Sequence, residues 1–250
     1  MRIRRSWMVL CLLLTAADAR ADWRLSAGLE HFAWNEHTAP LKVSEDGVLP
    51  MLGLRLSEPF AKGFAGDYRG RVYFGSVTYH GSQLYQPTIP VTGTTHYTGT
   101  TQEAQLRVTL VGEVDVAAGL DLDFWHRKLG PDQAEDYRIV SMRFGAEHAY
   151  SALVPLAVAT GVKFTLSTHE DAHFGELGFT ENPPLVPERS VTPYLDLGYA
   201  FTPHWSIAGS FDGFSFGRSK EVALTQGNVQ GIFYQPASDM RVFDLRLEYR

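Results

Sequence analysis

The chain has 250 residues, of which 12% are aromatic and 20% charged, with 22 basic against 28 acidic side chains. That acidic balance argues against nucleic acid as a partner, because phosphate neutralisation needs a basic surface. A single cysteine leaves no disulfide framework to hold a fold.

Residues 1–21 read as a secretory signal peptide. Arg2, Arg4 and Arg5 form a basic start, Trp7 to Leu14 a short apolar stretch, and Ala19-Arg20-Ala21 a small-x-small cleavage site. The apolar stretch falls far short of the roughly 20 residues a membrane-spanning helix needs, and no small-residue lipobox precedes Cys11. Cleavage would remove the cysteine, four arginines and one aspartate, leaving 22–250 with 18 basic and 27 acidic side chains, a net of −9. That length suits one all-β domain, and no later run is long enough for a transmembrane helix.

Ten segments then alternate with period two, the signature of a strand whose side chains point to opposite faces. Leu25, Ala27 and Leu29 oppose Arg24, Ser26, Gly28 and Glu30; Leu52, Leu54 and Leu56 oppose Gly53, Arg55 and Ser57. Tyr68, Val72 and Phe74 oppose Arg69, Arg71 and Tyr73, and Leu106, Val108 and Leu110 oppose Gln105, Arg107 and Thr109. Leu120, Leu122 and Phe124 face away from Asp121, Asp123 and Trp125, as Val140, Met142 and Phe144 do from Ser141, Arg143 and Glu147. Leu156, Val158, Val162 and Phe164 oppose Ala157, Ala159, Gly161 and Lys163; Leu195, Leu197 and Tyr199 oppose Tyr194, Asp196 and Gly198. A weaker ninth segment sets Trp205, Ile207 and Phe211 against Ser206, Ser210 and Asp212. The last, Phe243, Leu245, Leu247 and Tyr249 against Asp244, Arg246, Glu248 and Arg250, alternates without fault.

Connections alternate in length too. Short turns fall near 61–65, 115–118, 151–155 and 202–204, and long polar excursions near 37–48, 81–101, 130–137, 169–190 and 217–238. Short-long alternation with both ends on the short side predicts an all-β, single antiparallel up-and-down transmembrane β-barrel, apolar towards lipid and polar towards its lumen, with short periplasmic and long outer connections. Ten strands are expected, or eight if the ninth segment and a neighbour are misread. A soluble β-barrel or sandwich also alternates, but the charged face here carries many glycines and alanines. Aromatics near segment ends, among them Trp23, Trp34, Phe60, Tyr68, Trp125, Tyr150, Phe201, Trp205 and Tyr249, predict an interfacial belt. Trp125, His126 and Arg127 read as headgroup contacts.

In these respects the chain resembles the small bacterial outer-membrane β-barrels, across the whole of 22–250 and as architecture rather than motif. The resemblance implies a cell outer-membrane location in a Gram-negative bacterium, with lipid and lipopolysaccharide as surroundings. It also implies delivery by the barrel assembly machinery through the C-terminal strand, although Tyr249, the expected final aromatic, is followed here by Arg250.

Nine bases on the polar face (Arg24, Arg55, Arg69, Arg71, Arg107, Arg127, Arg143, Lys163, Arg246) match nine acids (Glu30, Glu113, Asp121, Asp123, Glu147, Asp196, Asp212, Asp244, Glu248). A lumen of eight to ten strands is just wide enough for side chains to fill, and an unpaired buried ion costs several kcal/mol. The expectation is a plug of ion pairs, with Arg69, Arg71, Arg107, Asp121, Asp123, Arg143, Glu147, Lys163, Asp196, Asp244, Arg246 and Glu248 as its network. A narrow solute channel is the alternative.

Candidate chemistry is sparse. His169, Asp171 and His173 are metal-ligand types at workable spacing, but loop histidines beside acids are common without a metal, so no metal or cofactor is expected. Asp171-Ala-His173 also resembles the Asp-x-His pair of the omptin proteases. The acidic pair that family places in its second outer loop is missing, because 81–101 contains no Asp or Glu, and the water-activating base assembly is incomplete. A lipid-modifying enzyme would need a serine beside a histidine, and none stands out near His126. The Thr-rich stretch from Gln86 to Thr101 is a hydroxyl-bearing surface for glycans or hosts, or simply a hairpin extended above the membrane; the latter is favoured. The expected function is a non-enzymatic barrel, structural or surface-interacting, with a rim hydrolase as a rival reading.

Overall fold

The computed structural model describes residues 21–37, 42–83, 86–110, 114–131, 133–150 and 155–250. Residues 1–20 of the expected signal peptide, and Glu113, lie outside the described residues. The strands in chain order are β1 (Asp22–Glu36), β2 (Val43–Ala61), β3 (Phe64–Gln83), β4 (Gln86–Thr109), β5 (Val114–Lys128), β6 (Ala134–Tyr150), β7 (Leu156–Asp171), β8 (Val191–Ala200), β9 (Trp205–Phe216), β10 (Val222–Gln226), β11 (Val229–Phe233) and β12 (Ser238–Tyr249). All but β10 and β11 form one closed antiparallel ring in sequence order, with β12 pairing back onto β1. The barrel therefore has ten strands, and β10–β11 is a separate hairpin inside the last long connection.

The faces are inverted relative to a soluble protein. Leu245 is 60% exposed and Leu106 63%, whereas Asp121 is 1% and Lys163 2% exposed. At about 25 cal/mol per Å² of apolar surface, such an exterior is stable only against hydrocarbon. The fold is thus a transmembrane β-barrel of the outer-membrane type. The end with both strand termini and short turns is the periplasmic one in barrels of this kind. There the β2–β3 connection turns through Gly63, whose φ of +75° favours a residue without Cβ.

The strands overrun several expected loops. β3 and β4 continue to Gln83 and Gln86, so the Thr-rich stretch is strand, paired through positions such as Thr78↔Thr94 and Thr95↔Val77. Thr, Val and Tyr suit a pleated surface, and the hairpin simply extends outwards. Likewise β2 begins at Val43 and β6 at Ala134, inside stretches expected to be loop. The ninth segment forms in full and pairs with both β8 and β12.

The aromatic expectation needs correction. Trp23, Trp205 and Tyr249 do cluster on the exterior at the periplasmic end, with ring centroids 4.9 Å apart for Trp205–Tyr249 and 6.3 Å for Trp23–Tyr249. Trp34 and Trp125, however, are 0% and 3% exposed, inside the barrel. Their parity explains it: Trp34 shares its face with Glu30, and Trp125 with Asp121 and Asp123. Arg127 is enclosed for the same reason, so of the Trp125-His126-Arg127 trio only His126 faces out. On one wall Tyr194 lies across the cross-strand pair Gly145↔Gly161, where any Cβ would collide with its ring or the neighbouring backbone. Arg143 in turn stacks 3.6 Å from the centroid of that ring.

Candidate functional site

From the periplasmic end upwards, the lumen is first an ionic layer. Arg107 reaches Asp67 at 3.1 Å and Asp115 at 3.2 Å, with Glu147 at 3.8 Å. Arg246 binds Asp244 and, at 3.0 Å, Glu248. Arg69 meets Asp196 at 3.0 Å and Glu103 at 3.7 Å, and Arg143 meets Glu103 at 2.7 Å, Asp196 at 3.4 Å and Asp121 at 3.5 Å. Arg71 sits among Asp244, Asp212 and Glu30 at 3.3, 3.6 and 3.8 Å. Lys163 holds Asp212 at 2.6 Å, and Asp123 accepts from Thr101 at 2.8 Å. All twelve expected network residues therefore face this space. Asp67, Glu103 and Asp115 join them, and sequence reasoning overlooked these three although each shares strand parity with a basic neighbour.

Above the ions lies an apolar layer that the polar-lumen expectation did not contain. Phe32, Trp34, Leu49, Met51, Tyr73, Tyr97, Trp125, Tyr137, Ile139, Phe214, Phe216, Met240 and Val242 form one buried cluster within the barrel. Trp34 stacks on Phe216 at 5.8 Å, and Trp125 on Tyr137 at 5.1 Å.

A second ionic group crowns that layer. The Arg127 guanidinium donates to Glu135 at 2.7 Å, Glu45 at 2.9 Å and Glu36 at 3.3 Å. Its carbon lies 5.2 Å from the Trp34 ring centroid, while Trp34 Nε1 donates to Glu36 at 3.1 Å. Glu45 also accepts from Thr95 at 2.9 Å and from the Tyr97 hydroxyl. Glu170 is buried beside them, within reach of the Gln235 amide at 3.1 and 3.2 Å. The nine-against-nine balance is thereby corrected: Glu36, Glu45, Glu135 and Glu170 tip the enclosed charge towards acid. Glu36 borders and Glu45 lies within the stretch 37–48 read as loop, which hid their parity.

Over this top, residues 172–190 and 217–237 fold on each other as a lid. Phe174, Phe179, Leu185, Leu224 and Phe233 make a small core of their own, with Phe233 4.9 Å from Phe179 and 5.2 Å from Phe174. One isolated bridge, Glu170↔Leu185, ties it to β7, and a second, Glu188↔Gly217, joins its two segments just beyond the end of β9. Pro183, Pro184 and Pro187 lack the N–H groups that would extend β8 further along β7.

The expected loop site falls at the edge of this lid. His173, at φ +50°, hydrogen-bonds through Nε2 to Asp136 at 2.7 Å and through Nδ1 to Glu176 at 3.3 Å. Asp136 also meets His126 Nδ1 at 2.8 Å, so one barrel-wall carboxylate joins His126 on β5 to His173 in the lid. Burial works against the His173 proton, but the bonds to Asp136 and Glu176 outweigh it and raise the imidazole pKa above the ordinary value of 6.5. Asp171 is engaged elsewhere, accepting from Asn182 at 2.7 Å and the His173 backbone at 3.0 Å. His169 is exposed on the outer face of β7. These three side chains do not form a ligand set, and no metal-binding group of three or more His, Cys, Asp or Glu occurs among the described residues. The Asp-x-His spacing likewise does not pair Asp171 with the His173 ring.

No protein-family model matches the chain, and no curated protein sequence matches it. Among solved structures, it is similar to the outer-membrane protease OmpT of Escherichia coli at 10% identity, over 91% of this chain and 96% of that one, with a TM-score of 0.47. It is also similar to the toluene transporter TodX of P. putida (9% identity, 94% and 91% coverage, TM-score 0.38). The attachment invasion locus protein Ail of Yersinia pestis is a third (9%, 92% and 98%, 0.37). The likeness is one of fold.

Proposed function

We propose that this protein is a non-enzymatic barrel of the cell outer membrane whose lumen is closed to solutes, and whose function is structural or carried by the outer surface of its folded loops. The observation that carries this reading is the stacking of seals along one axis: ion pairs, then the aromatic layer, then the Arg127 cluster, then the lid. Removing ions from water costs several kcal/mol each unless they are paired and hydrogen-bonded, so opening a continuous aqueous path would require dismantling several such groups together. Lipid and lipopolysaccharide surround the belt, and the barrel assembly machinery is the expected route of insertion through β12. Planar-bilayer recording of the purified protein tests the reading: an electrically silent membrane is expected, and large, steady, porin-sized steps would overturn it.

A rim hydrolase is the second reading, favoured by the His126–Asp136–His173 array and the strained backbone at His173. Against it, neither ring hydrogen-bonds a serine among the described residues, and both His173 nitrogens are already engaged by Asp136 and Glu176. Hydrolysis of peptide or lipid substrates that disappears in His173→Ala and His126→Ala would favour it instead.

A further inference from the structure

The periplasmic mouth holds a feature that a purely structural barrel does not need. Arg24, Arg55 and Arg69 are direct cross-strand neighbours on β1, β2 and β3. Like charges placed opposite one another on a sheet repel. The outer two are neutralised, Arg24 by Asp22 at 3.4 Å and Glu248 at 3.6 Å, and Arg69 by Asp196 at 3.0 Å. The central one is not held in this way. The nearest carboxylates to Arg55, on Asp67 and Glu147, are each 3.9 Å away, and its guanidinium donates no hydrogen bond among the described residues.

All three arginines line one cavity of about 300 Å³ at the short-turn end. Its far wall carries the small residues Ala157, Ala159, Gly198 and Ala208 beside Asp196. With Arg246, Glu147 and Glu248 also in the lining, the cavity holds four arginines against three carboxylates. That volume lies at the lower end of the range for small-molecule sites. A planar fork of unspent N–H donors suits a carboxylate or phosphate, which it can grip with two parallel hydrogen bonds. The alanine and glycine wall suits a compact apolar body and leaves room for it.

We propose that this vestibule binds a small organic anion, a carboxylate or phosphate on a short aliphatic body, with Arg55 as its principal contact and Arg24 and Arg69 flanking it. The anion would enter from the periplasm and relieve the repulsion along the arginine row. The site goes beyond the closed-lumen reading and does not depend on it: conductance would overturn that reading and leave the vestibule as it is.

Calorimetric titration of the full chain in phosphatidylcholine nanodiscs tests this, with hexanoate and butyl phosphate as probes and hexanol as the neutral control. Saturable binding of at least one anion is expected, with hexanol silent. Arg55→Gln should weaken binding by about tenfold or more while the barrel keeps its heat-modifiable gel shift. Ala159→Leu leaves the arginines intact and fills the wall, so it should block hexanoate on its own. The proposal is overturned if neither anion binds, if hexanol binds as tightly as hexanoate, or if both variants bind like the parent chain.

Discussion

The lower and upper halves of this lumen solve the same problem in opposite ways. Near the periplasm the strands project charge inwards, and most of the ions have two or three partners, such as Arg143 among Glu103, Asp196 and Asp121. Further up the same strands project Phe, Trp and Tyr, as β1 does in passing from Arg24 and Glu30 to Phe32 and Trp34. The lower half is a shared network in which losing one member leaves others to compensate. The upper half is a packed core in which a lost side chain leaves a hole. A single barrel thus combines an ionic, adjustable base with an apolar, inflexible neck.

The largest expected effect is in the neck. Trp34→Ala removes a fully enclosed indole, its stack on Phe216 and its bond to Glu36, and should cost about 3–5 kcal/mol in urea-driven unfolding from lipid vesicles. A loss no larger than that of a base variant would break the comparison. Next comes the exterior: Leu245→Arg sets a cation against acyl chains and should cost about 2–4 kcal/mol. A neutral outcome in the same assay would mean that this face is not in lipid. Asp196→Asn, in the base, should cost only about 1–3 kcal/mol, because Arg69 and Arg143 retain Glu103.

The smallest effect concerns the lid. The His173 pKa is raised in the folded protein, so its contribution is fully present below about 6.5 and fades as pH rises through the raised value. Protease cleavage within 174–190 should therefore increase from pH 6 to pH 9. The same profile in His173→Ala should be flat, and a pH-dependent profile in that variant would discard the imidazole as the clasp.

Much of the barrel was legible in the sequence because a strand repeats every two residues and lipid fixes which face is apolar. Leu245 and Asp244 declare their sides without any structure. The neck was not legible, since Trp34 and Phe32 are apolar residues on the enclosed face, and hydrophobicity alone sends them outwards. Only strict parity, counted from Glu30, places them correctly. The upper carboxylates were missed because Glu36 borders, and Glu45, Glu135 and Glu170 lie within, polar stretches that read as loop when a strand continues into water. The lid could not be derived at all, as its core joins Phe174 and Phe233 across some sixty intervening residues, and no local pattern encodes such a meeting. Arg55 was seen as one cation among nine; its lack of a close partner is a matter of distances.

The closing seam has a consequence for assembly state. The last strand meets the first in continuous register from Leu25↔Tyr249 to Glu36↔Ser238, and Arg250 clasps Asp22 at 2.8 Å beneath it. With no bare edge at that junction, a neighbouring copy has nothing there to zip onto. Any association between molecules in the bilayer must then rely on side chains meeting flank to flank, and crowding alone will not fuse two such cylinders into a larger one.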